Sequence, residues 1–313
     1  MMYAAQQFRN LLRSDEFIVS PGVYDGYSIR LVAAAGFKSA CTSGAALSNA
    51  LLGIADIGVM GLTDNVNHCR NLARSVSIPL TADADTGYGN AVNVHHTVRM
   101  FEEAGVAGVN LEDQVTPKRC GHMPGKEVIS GAEMAKKIEA ACLARRNDDF
   151  VIIARTDALA IEGIEGAVAR AQLYAAAGAD MLFPDAIRTE EEIERLVAAA
   201  GIPVTINMGF GIRSRPTTPT FPLPRLKELG VRRVSLPRML PAAAISAMQN
   251  ALGLMKTVIE TGVPIDRPDL LVGIEDIMAL MNYSEARSLE LRLLTTDVLE
   301  NKYRPGPYQE TAR

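Results

Sequence analysis

The stretch IPLTADADTGYGNAVNVHHTVRMFEEAGVAGVNLED, residues 78–113, contains the pattern that decides the fold. Two apolar runs, 78–85 and 107–113, enclose a longer amphipathic segment that ends at a glycine. Near-continuous apolar runs are typical of strands buried on both faces of a parallel sheet. A glycine directly after an amphipathic segment marks the end of a helix. The stretch therefore predicts a strand–helix–strand unit with acidic residues where each strand ends.

Similar apolar runs occur along the rest of the chain, separated by Ala-rich amphipathic segments. They are 17–22, 39–44, 150–157, 179–185, 202–208 and 231–237. Eight such units predict an α/β protein with a (β/α)₈ TIM barrel, a fold whose usual length is about 250 residues. An open doubly wound sheet is the alternative. The count of eight, and the polar residues at the carboxyl ends of the strands, favour the barrel.

The chain continues well beyond the eighth predicted strand, with more helical pattern than one barrel helix requires. We therefore predict a barrel catalytic domain over residues 1–240 and a helical C-terminal segment over residues 241–313. The segment either contacts another subunit or caps its own barrel.

The composition excludes several classes of protein. The chain has 313 residues, a net charge of −4 and 48% hydrophobic residues, so it can build a core and has no basic surplus for nucleic acid. No apolar run reaches the roughly 20 residues that span a bilayer, so no membrane contact is expected. We predict a cytoplasmic protein, although a mitochondrial matrix protein without its leader would look the same. The four cysteines have neither metal-ligand nor disulfide-framework spacing and are predicted to be free thiols.

Polar residues cluster where the predicted strands end, which is where a barrel carries its function. They are Ser43, Gly44, Asp83, Asp85, Glu112, Asp113, Arg155, Asp157, Asp185 and Asn207. Any one of them could cap a helix. Their accumulation at one mouth is what indicates a site.

Asp83 and Asp85 alternate along a predicted strand, so both side chains are expected on one face. Together with Glu112 from the next strand they would repel one another unless a cation lay between them. Oxygen ligands suit Mg²⁺ or Mn²⁺ and do not suit zinc. The pattern predicts a site for one of these two ions.

The segment TPKRCGHMPGK, residues 116–126, is rich in Gly, Pro and charge and is predicted to be a loop over the barrel mouth. Lys118, Arg119 and His122 flank Cys120 and would favour its thiolate form when the loop closes. Such a cysteine could act as a nucleophile or as a proton donor to a carbanion. The alternative is a solvated loop whose cysteine is incidental.

Five motifs resemble the isocitrate lyase/phosphoenolpyruvate mutase superfamily. They are SGAA (43–46), GIADIG (53–58), TADADTGYGN (81–90), LEDQVTPKRCGHMPGK (111–126) and IIARTDAL (152–159). The cysteine-bearing loop resembles that of the short-chain branch, which includes 2-methylisocitrate lyases, 2,3-dimethylmalate lyases and oxaloacetate hydrolases. The resemblance implies a (β/α)₈ barrel, a requirement for Mg²⁺, and a homotetramer in which the last barrel helix is exchanged between neighbours.

The resemblance also implies roles for individual residues. Asp83 and Asp85 match the metal-binding acids, and Asp56 and Glu112 match positions that reach the metal through water. The catalytic set it implies is Cys120 as general acid, Arg155, Glu112 and His122. The substrate-binding set it implies is Ser43, Gly44, Ala45, Gly121, Arg155, Asp185 and Asn207.

The chain departs from the pattern of the lyases at several positions that face their substrates. Cys41 stands where they usually carry a tyrosine that could accept the hydroxyl proton. Asp185 replaces a glutamate. Gly209 and Phe210 replace polar residues, with Arg213 and Arg215 nearby. An arginine that follows the eighth strand in 2-methylisocitrate lyases is absent, with alanines at 242–244 and Arg238 close by but not aligned. The substrate is therefore expected to differ from 2-methylisocitrate or to be smaller.

Three hypotheses follow for the function. The first is a Mg²⁺-dependent carbon–carbon lyase that cleaves a 2-hydroxy di- or tricarboxylic acid to a pyruvate-like 2-oxo acid and a carboxylate. The second is an oxaloacetate hydrolase that gives oxalate and acetate. The third is a non-catalytic barrel, and a phosphonomutase is disfavoured because that branch generally lacks the cysteine. The expected partner is a small carboxylic acid.

Overall fold

A computed structural model describes residues 4–121, 123–210 and 218–304. Eight parallel strands pair in sequential order and the last pairs with the first, which closes a barrel. They are β1 Ile18–Val23, β2 Ala40–Thr42, β3 Leu80–Asp83, β4 Gly108–Glu112, β5 Val151–Thr156, β6 Met181–Pro184, β7 Val204–Asn207 and β8 Val231–Leu236. The predicted (β/α)₈ fold is confirmed.

Helices precede, connect and follow the strands. They are α1 Ala4–Arg13, α2 Gly26–Ala34, α3 Gly44–Leu47, α4 Leu62–Arg74, α5 Ala91–Glu103, α6 Gly131–Ala144, α7 Leu159–Ala176, α8 Glu190–Ala200, α9 Leu223–Glu228, α10 Met239–Thr261, α11 Ile274–Leu280, α12 Tyr283–Leu293 and α13 Thr296–Lys302. A short π-helix, Ser48–Leu52, continues α3.

Local signals in the sequence fix where these helices begin and end. The side chain of Asn90 accepts hydrogen bonds from the first turn of α5, and Thr189 caps α8 in the same way. Gly201 ends α8 at φ 63°, a left-handed conformation that glycine adopts without the steric cost of a Cβ. These caps direct each chain reversal towards the next strand.

Helix α1 lies against the amino-terminal end of the barrel. Phe8 and Leu12 pack on Ile18, Val151 and Met181, at or near the beginnings of their strands. Burying a side chain such as Phe8 contributes about 1.5–3 kcal/mol. The opposite end of the barrel, where the strands finish, is thus the open one.

The chain divides into two compact units, residues 1–246 and residues 247–313. Within the second unit, α11, α12 and α13 contain no buried residue. The domain boundary at residue 240 and the exchange of a helix between subunits remain predictions. Of the helices in the described ranges, none is both long and apolar enough to cross a bilayer.

Candidate active site

A small cavity opens at the carboxyl end of the barrel. Its volume is about 50 Å³, far below the roughly 300–1,000 Å³ of typical ligand pockets. Its lining includes nine of the predicted site residues: Ser43, Ala45, Asp56, Asp83, Cys120, Gly121, Arg155, Asp185 and Asn207. Gly44, Asp85 and Glu112 lie behind this lining, in contact with it. His122, Arg213 and Arg215 lie outside the described residues.

The two aspartates of the motif DAD do not share a strand. β3 ends at Asp83, and Asp85 follows it with a left-handed φ of 47°, so the prediction that the acids alternate on one strand is wrong. The turn brings them together instead. Asp83 accepts hydrogen bonds from the backbone N–H of Asp85 at 3.1 Å and from that of Gly44 at 2.8 Å.

Gly44 is required at its position because the acids crowd its backbone. A Cβ there would lie 2.7 Å from an oxygen of Asp85 and 3.3 Å from one of Asp83. Ser43 precedes α3 but its side chain makes no capping hydrogen bond, so the hydroxyl is not committed to the helix. Ser43 therefore presents a polar group to the cavity.

Lys118 is the main site residue whose position the sequence did not predict. Its ammonium lies 2.8 Å from Asp56 and 2.8 Å from Asp85, and its side chain is only 4% exposed. Burial alone would lower the pKa of Lys118, but the charges of Asp85 and Glu112 outweigh it and hold the pKa well above its usual value. The lysine is therefore a buried cation among the carboxylates of Asp56, Asp83, Asp85 and Glu112, which together form the acidic cluster.

Glu112 lies at the end of β4 and is 1% exposed. Neither carboxylate oxygen accepts a hydrogen bond from a described residue, although Arg155 lies 3.3 Å from one of them. Burial raises the pKa of Glu112 well above its usual value, only partly opposed by Arg155 and Lys118. Burial likewise raises the pKa of Asp85 to about 6. Ionised together, these carboxylates would carry more negative charge than the side chains around them compensate, so burial disfavours their charged forms.

These oxygens fit a hard divalent cation. Oxygen ligands of this kind are those that Mg²⁺ takes, with water and substrate completing its shell. Within residues 4–121, 123–210 and 218–304, no three acidic, histidine or cysteine side chains already surround one point as ligands. The ammonium of Lys118 takes the position between Asp56 and Asp85.

Arg155 projects from the end of β5 into a second group of charges. Its guanidinium donates to both oxygens of Asp157, at 3.0 and 3.2 Å, and lies 3.6 Å from Asp185. Lys126 pairs with both aspartates, and Asn207 donates to Asp185 at 3.3 Å. Burial opposes ionisation of Asp157, but Arg155 and Lys126 lower its pKa overall. The arrangement fixes Arg155 rigidly at the mouth.

Cys120 lies on the loop after β4 and is 8% exposed. Its backbone N–H donates to the carbonyl of Asp56 at 3.2 Å, while Gln114 binds Arg119 through two hydrogen bonds of 2.9 Å. A guanidinium N–H of Arg238 donates to the sulfur at 2.9 Å. The loop is thus folded over the mouth, with the thiol facing the cavity.

A buried hydrogen-bond network behind the mouth was also not predicted from the sequence. Asp113 accepts hydrogen bonds from Thr156 and Tyr174, both at 2.7 Å, and from Arg170 at 3.1 Å. Its other oxygen accepts the backbone N–H of Asp157 at 2.9 Å. Asp113 therefore ties the end of β4 to the end of β5 and holds the partner of Arg155. No local signal marks it, since Arg170 and Tyr174 come from α7.

Replacing Asp113 by alanine is expected to lower the free energy of unfolding by about 3 kcal/mol, because it leaves the charge of Arg170 buried without this partner. Urea denaturation measures the change. Glu162→Ala is the matched control: it removes the exposed partner of the same arginine and should cost about 1 kcal/mol or less. Equal losses in the two variants would contradict the structural role of Asp113.

Comparison with known proteins identifies the family. The phosphoenolpyruvate phosphomutase family model matches residues 8–256. The chain is 37% identical over 298 residues to a probable 2-methylisocitrate lyase of Corynebacterium glutamicum, covering 95% of this chain and 94% of that one.

Solved structures agree with the sequence matches. A 2,3-dimethylmalate lyase superposes with a TM-score of 0.84 at 34% identity, covering 93% of this chain and 96% of that one. An oxaloacetate acetylhydrolase bound to 3,3-difluorooxalacetate has a TM-score of 0.84 at 33% identity, with 92% and 96% covered. The match over most of the chain, on a barrel with these motifs at its mouth, shows that the protein belongs to the isocitrate lyase/phosphoenolpyruvate mutase superfamily.

Proposed function

We propose that the protein is a Mg²⁺-dependent carbon–carbon lyase that cleaves a 2-hydroxy dicarboxylic acid to a 2-oxo acid and a second carboxylic acid. The observation that carries the proposal is the presence, in one cavity, of Cys120 opposite an acidic cluster with only oxygen ligands. The relatives named as lyases support the reaction class.

Asp83 and Asp85 would hold the metal, with Asp56 and Glu112 reaching it through water. Two observations support this assignment: the Glu112 carboxylate accepts no hydrogen bond from a described residue, and burial raises the pKa of Asp85 to about 6. A bound Mg²⁺ would supply Lewis-acid stabilisation of the oxygens on the 2-oxo acid fragment. Because Lys118 pairs with Asp56 and Asp85, its ammonium must share or leave this position when the ion binds.

The residues of the chain carry out the proton transfer and the positioning. Arg155, fixed by Asp157, orients the carboxylate of the 2-oxo fragment. The hydroxyl proton on C2 goes to a base, and the C2–C3 electron pair stays on C3. The proton of the Cys120 thiol then passes to C3, which completes the second acid and leaves a thiolate. The step needs no external oxidant or reductant, because C2 becomes a carbonyl carbon while C3 gains hydrogen. The base gives up the hydroxyl proton, and the thiolate regains one through water, when the loop opens.

Cys41 is unsuited to be the base, even though it occupies the position of the usual tyrosine. It is 2% exposed, and its thiol donates to the backbone carbonyl of Ser20 at 3.4 Å. Burial raises the pKa of Cys41, only partly opposed by Arg233. At neutral pH it therefore holds its proton. The base is another group at the mouth or a water.

The folded-over loop limits the size of the substrate and keeps water out. A cavity of about 50 Å³ cannot admit a substrate unless the loop opens first. Once the loop has closed, water is kept from competing with Cys120 for the carbanion. The short side chain of Asp185, bound to Asn207 and Lys126, supports an acid other than 2-methylisocitrate.

Hydrolysis of oxaloacetate is the second candidate, favoured by the similarity to an oxaloacetate acetylhydrolase. A screen of 2-hydroxy and 2-oxo di- and tricarboxylates with Mg²⁺ separates the two. The lyase should release a 2-oxo acid from a 2-hydroxy acid and make no oxalate. Oxalate and acetate from oxaloacetate would establish the hydrolase instead. No turnover of any of these acids would contradict both proposals.

We also propose that the protein is a homotetramer. Helix α10 carries exposed apolar side chains at alternating spacings of three and four residues, which line one face of a helix. They are Ile245, Met248, Leu252, Met255 and Ile259. A continuous apolar stripe on a surface helix is typical of a subunit interface, and a second copy of the chain fits the family resemblance.

The substitution Leu252→Glu is expected to break the tetramer, because it places a charge in the apolar stripe at a side chain that is 66% exposed in the single chain. Light scattering after gel filtration should give four copies of the 33.6 kDa chain for the wild type and a smaller species for the variant. Asn250→Glu, on the opposite face of α10, is the control and should stay tetrameric. A monomeric wild type would rule the assembly out.

A further inference from the structure

Arg238 faces the cavity directly after β8 but takes part in none of the ion pairs of the site. Pro237 alone separates it from Leu236, the last residue of β8. This placement puts its guanidinium at the mouth with the other strand-end residues. There the guanidinium donates a hydrogen bond to the sulfur of Cys120, at 2.9 Å.

Three of the described cationic side chains line the cavity, namely Lys118, Arg155 and Arg238, and Arg238 differs from the other two in its ion pairs. Lys118 pairs with Asp56 and Asp85, and Arg155 pairs with three acids. In the part of the chain that the structure describes, no carboxylate lies within 4.0 Å of the Arg238 guanidinium. A guanidinium has five N–H donors, and a thiol is a weak acceptor that uses one of them. Arg238 therefore has donors and charge left for an anion in the cavity.

We propose that Arg238 binds the second carboxylate of the substrate, the one on the fragment that Cys120 protonates. The inference rests on the proposed lyase function and names its substrate class: acids with a carboxylate on C3, bound between Arg155 at one end and Arg238 at the other. The planar fork of an arginine matches a carboxylate through two parallel hydrogen bonds.

The contact between Arg238 and Cys120 supports this assignment geometrically. The carbon that receives the proton must approach the sulfur closely, at roughly 3–3.5 Å. Its carboxylate is one bond further away, within reach of a guanidinium that already touches the same sulfur. After bond cleavage, this carboxylate becomes the enolate-like group on which negative charge develops. A cation placed there stabilises that charge without reorganising, and it also remains beside the thiolate that is left behind.

Two acids that differ by one carboxylate test the proposal. Malate carries the second carboxylate and lactate lacks it, while oxalate reports only on the end of the site that holds the 2-oxo acid. Isothermal titration calorimetry of the full-length protein with Mg²⁺ gives the dissociation constant of each. Arg238→Gln should weaken malate binding about tenfold or more, the typical loss for a hydrogen bond to a charged group. Binding of lactate and oxalate should change less than about twofold.

Two further variants separate binding from a merely structural role. Arg238→Lys keeps the charge but loses the fork, so malate should bind with intermediate affinity. Arg225→Gln removes one positive charge from α9, at a 41% exposed side chain that pairs with Glu190 and does not line the cavity, and should leave all three constants unchanged. The proposal is overturned if Arg238→Gln weakens all three acids equally or leaves malate unaffected. Failure of oxalate to bind the wild type with Mg²⁺ would instead overturn the metal-centred function, and this inference with it.

Discussion

Replacing Cys120 by alanine is expected to lower kcat about a thousandfold on the true substrate, within the range of roughly 10²–10⁴ for loss of a general acid. The carbanion left by C2–C3 cleavage would then lose its proposed proton donor, the thiol that the loop brings over the cavity. Steady-state kinetics measure the effect. KM should change little, since the thiol gives its proton only after the substrate is bound.

Two control variants isolate the role of this thiol. Cys142→Ala removes another free cysteine, half-buried on α6, and should keep full activity. Cys120→Ser keeps a small hydroxyl in place of the thiol but is a weaker acid, so it should remain impaired. Unchanged turnover in Cys120→Ala would show that the proton comes from elsewhere.

Asp83→Asn is expected to reduce activity by about a thousandfold or more and to weaken Mg²⁺ binding. Asparagine keeps the size of the side chain but removes a charge from the proposed ion site, and metal stabilisation of charge is worth several kcal/mol. The backbone N–H groups of Gly44 and Asp85 would also lose an ionised acceptor.

Titration of Mg²⁺ by calorimetry, alongside kinetics, distinguishes loss of the ion from loss of the fold. Asp148→Asn, an exposed aspartate before β5, is the control and should bind Mg²⁺ as the wild type does. EDTA without added metal should abolish activity of the wild type. Full activity under EDTA, or normal Mg²⁺ binding by Asp83→Asn, would contradict the metal assignment.

The barrel could be predicted from the sequence because the strands are largely buried, so several of them read as near-continuous apolar runs. The bounds of each predicted strand lie close to those of the observed strand, as with residues 150–157 and β5 Val151–Thr156. The glycine that ends α8 was equally visible. The prediction for Asp85 was wrong because it extended the alternation of a strand beyond Asp83, where β3 ends. Asp85 lies in a turn with a left-handed backbone, and this turn brings the two acids together.

The contacts of Lys118, Asp113 and Arg238 could not be predicted in the same way, although Asp113 was expected at a strand end. Each depends on a partner distant in sequence: Asp56 for Lys118, Tyr174 for Asp113 and Cys120 for Arg238. Lys118 looked like a basic neighbour of the cysteine, yet the folded loop turns its ammonium into the acidic cluster. Closure of the barrel and folding of the loop create these contacts, and no local spacing encodes them.

The most direct test of the central claim is the origin of the proton that is added to the released carboxylic acid. Turnover of the identified 2-hydroxy acid in D₂O with Mg²⁺ should yield 2-oxo acid and carboxylic acid in equal amounts. NMR should detect one solvent-derived deuterium on the carbon next to the carboxylate, and Cys120→Ala should lose this product. Release of oxalate, or the labelled product at an unchanged rate from Cys120→Ala, would contradict a lyase that protonates its product from this loop.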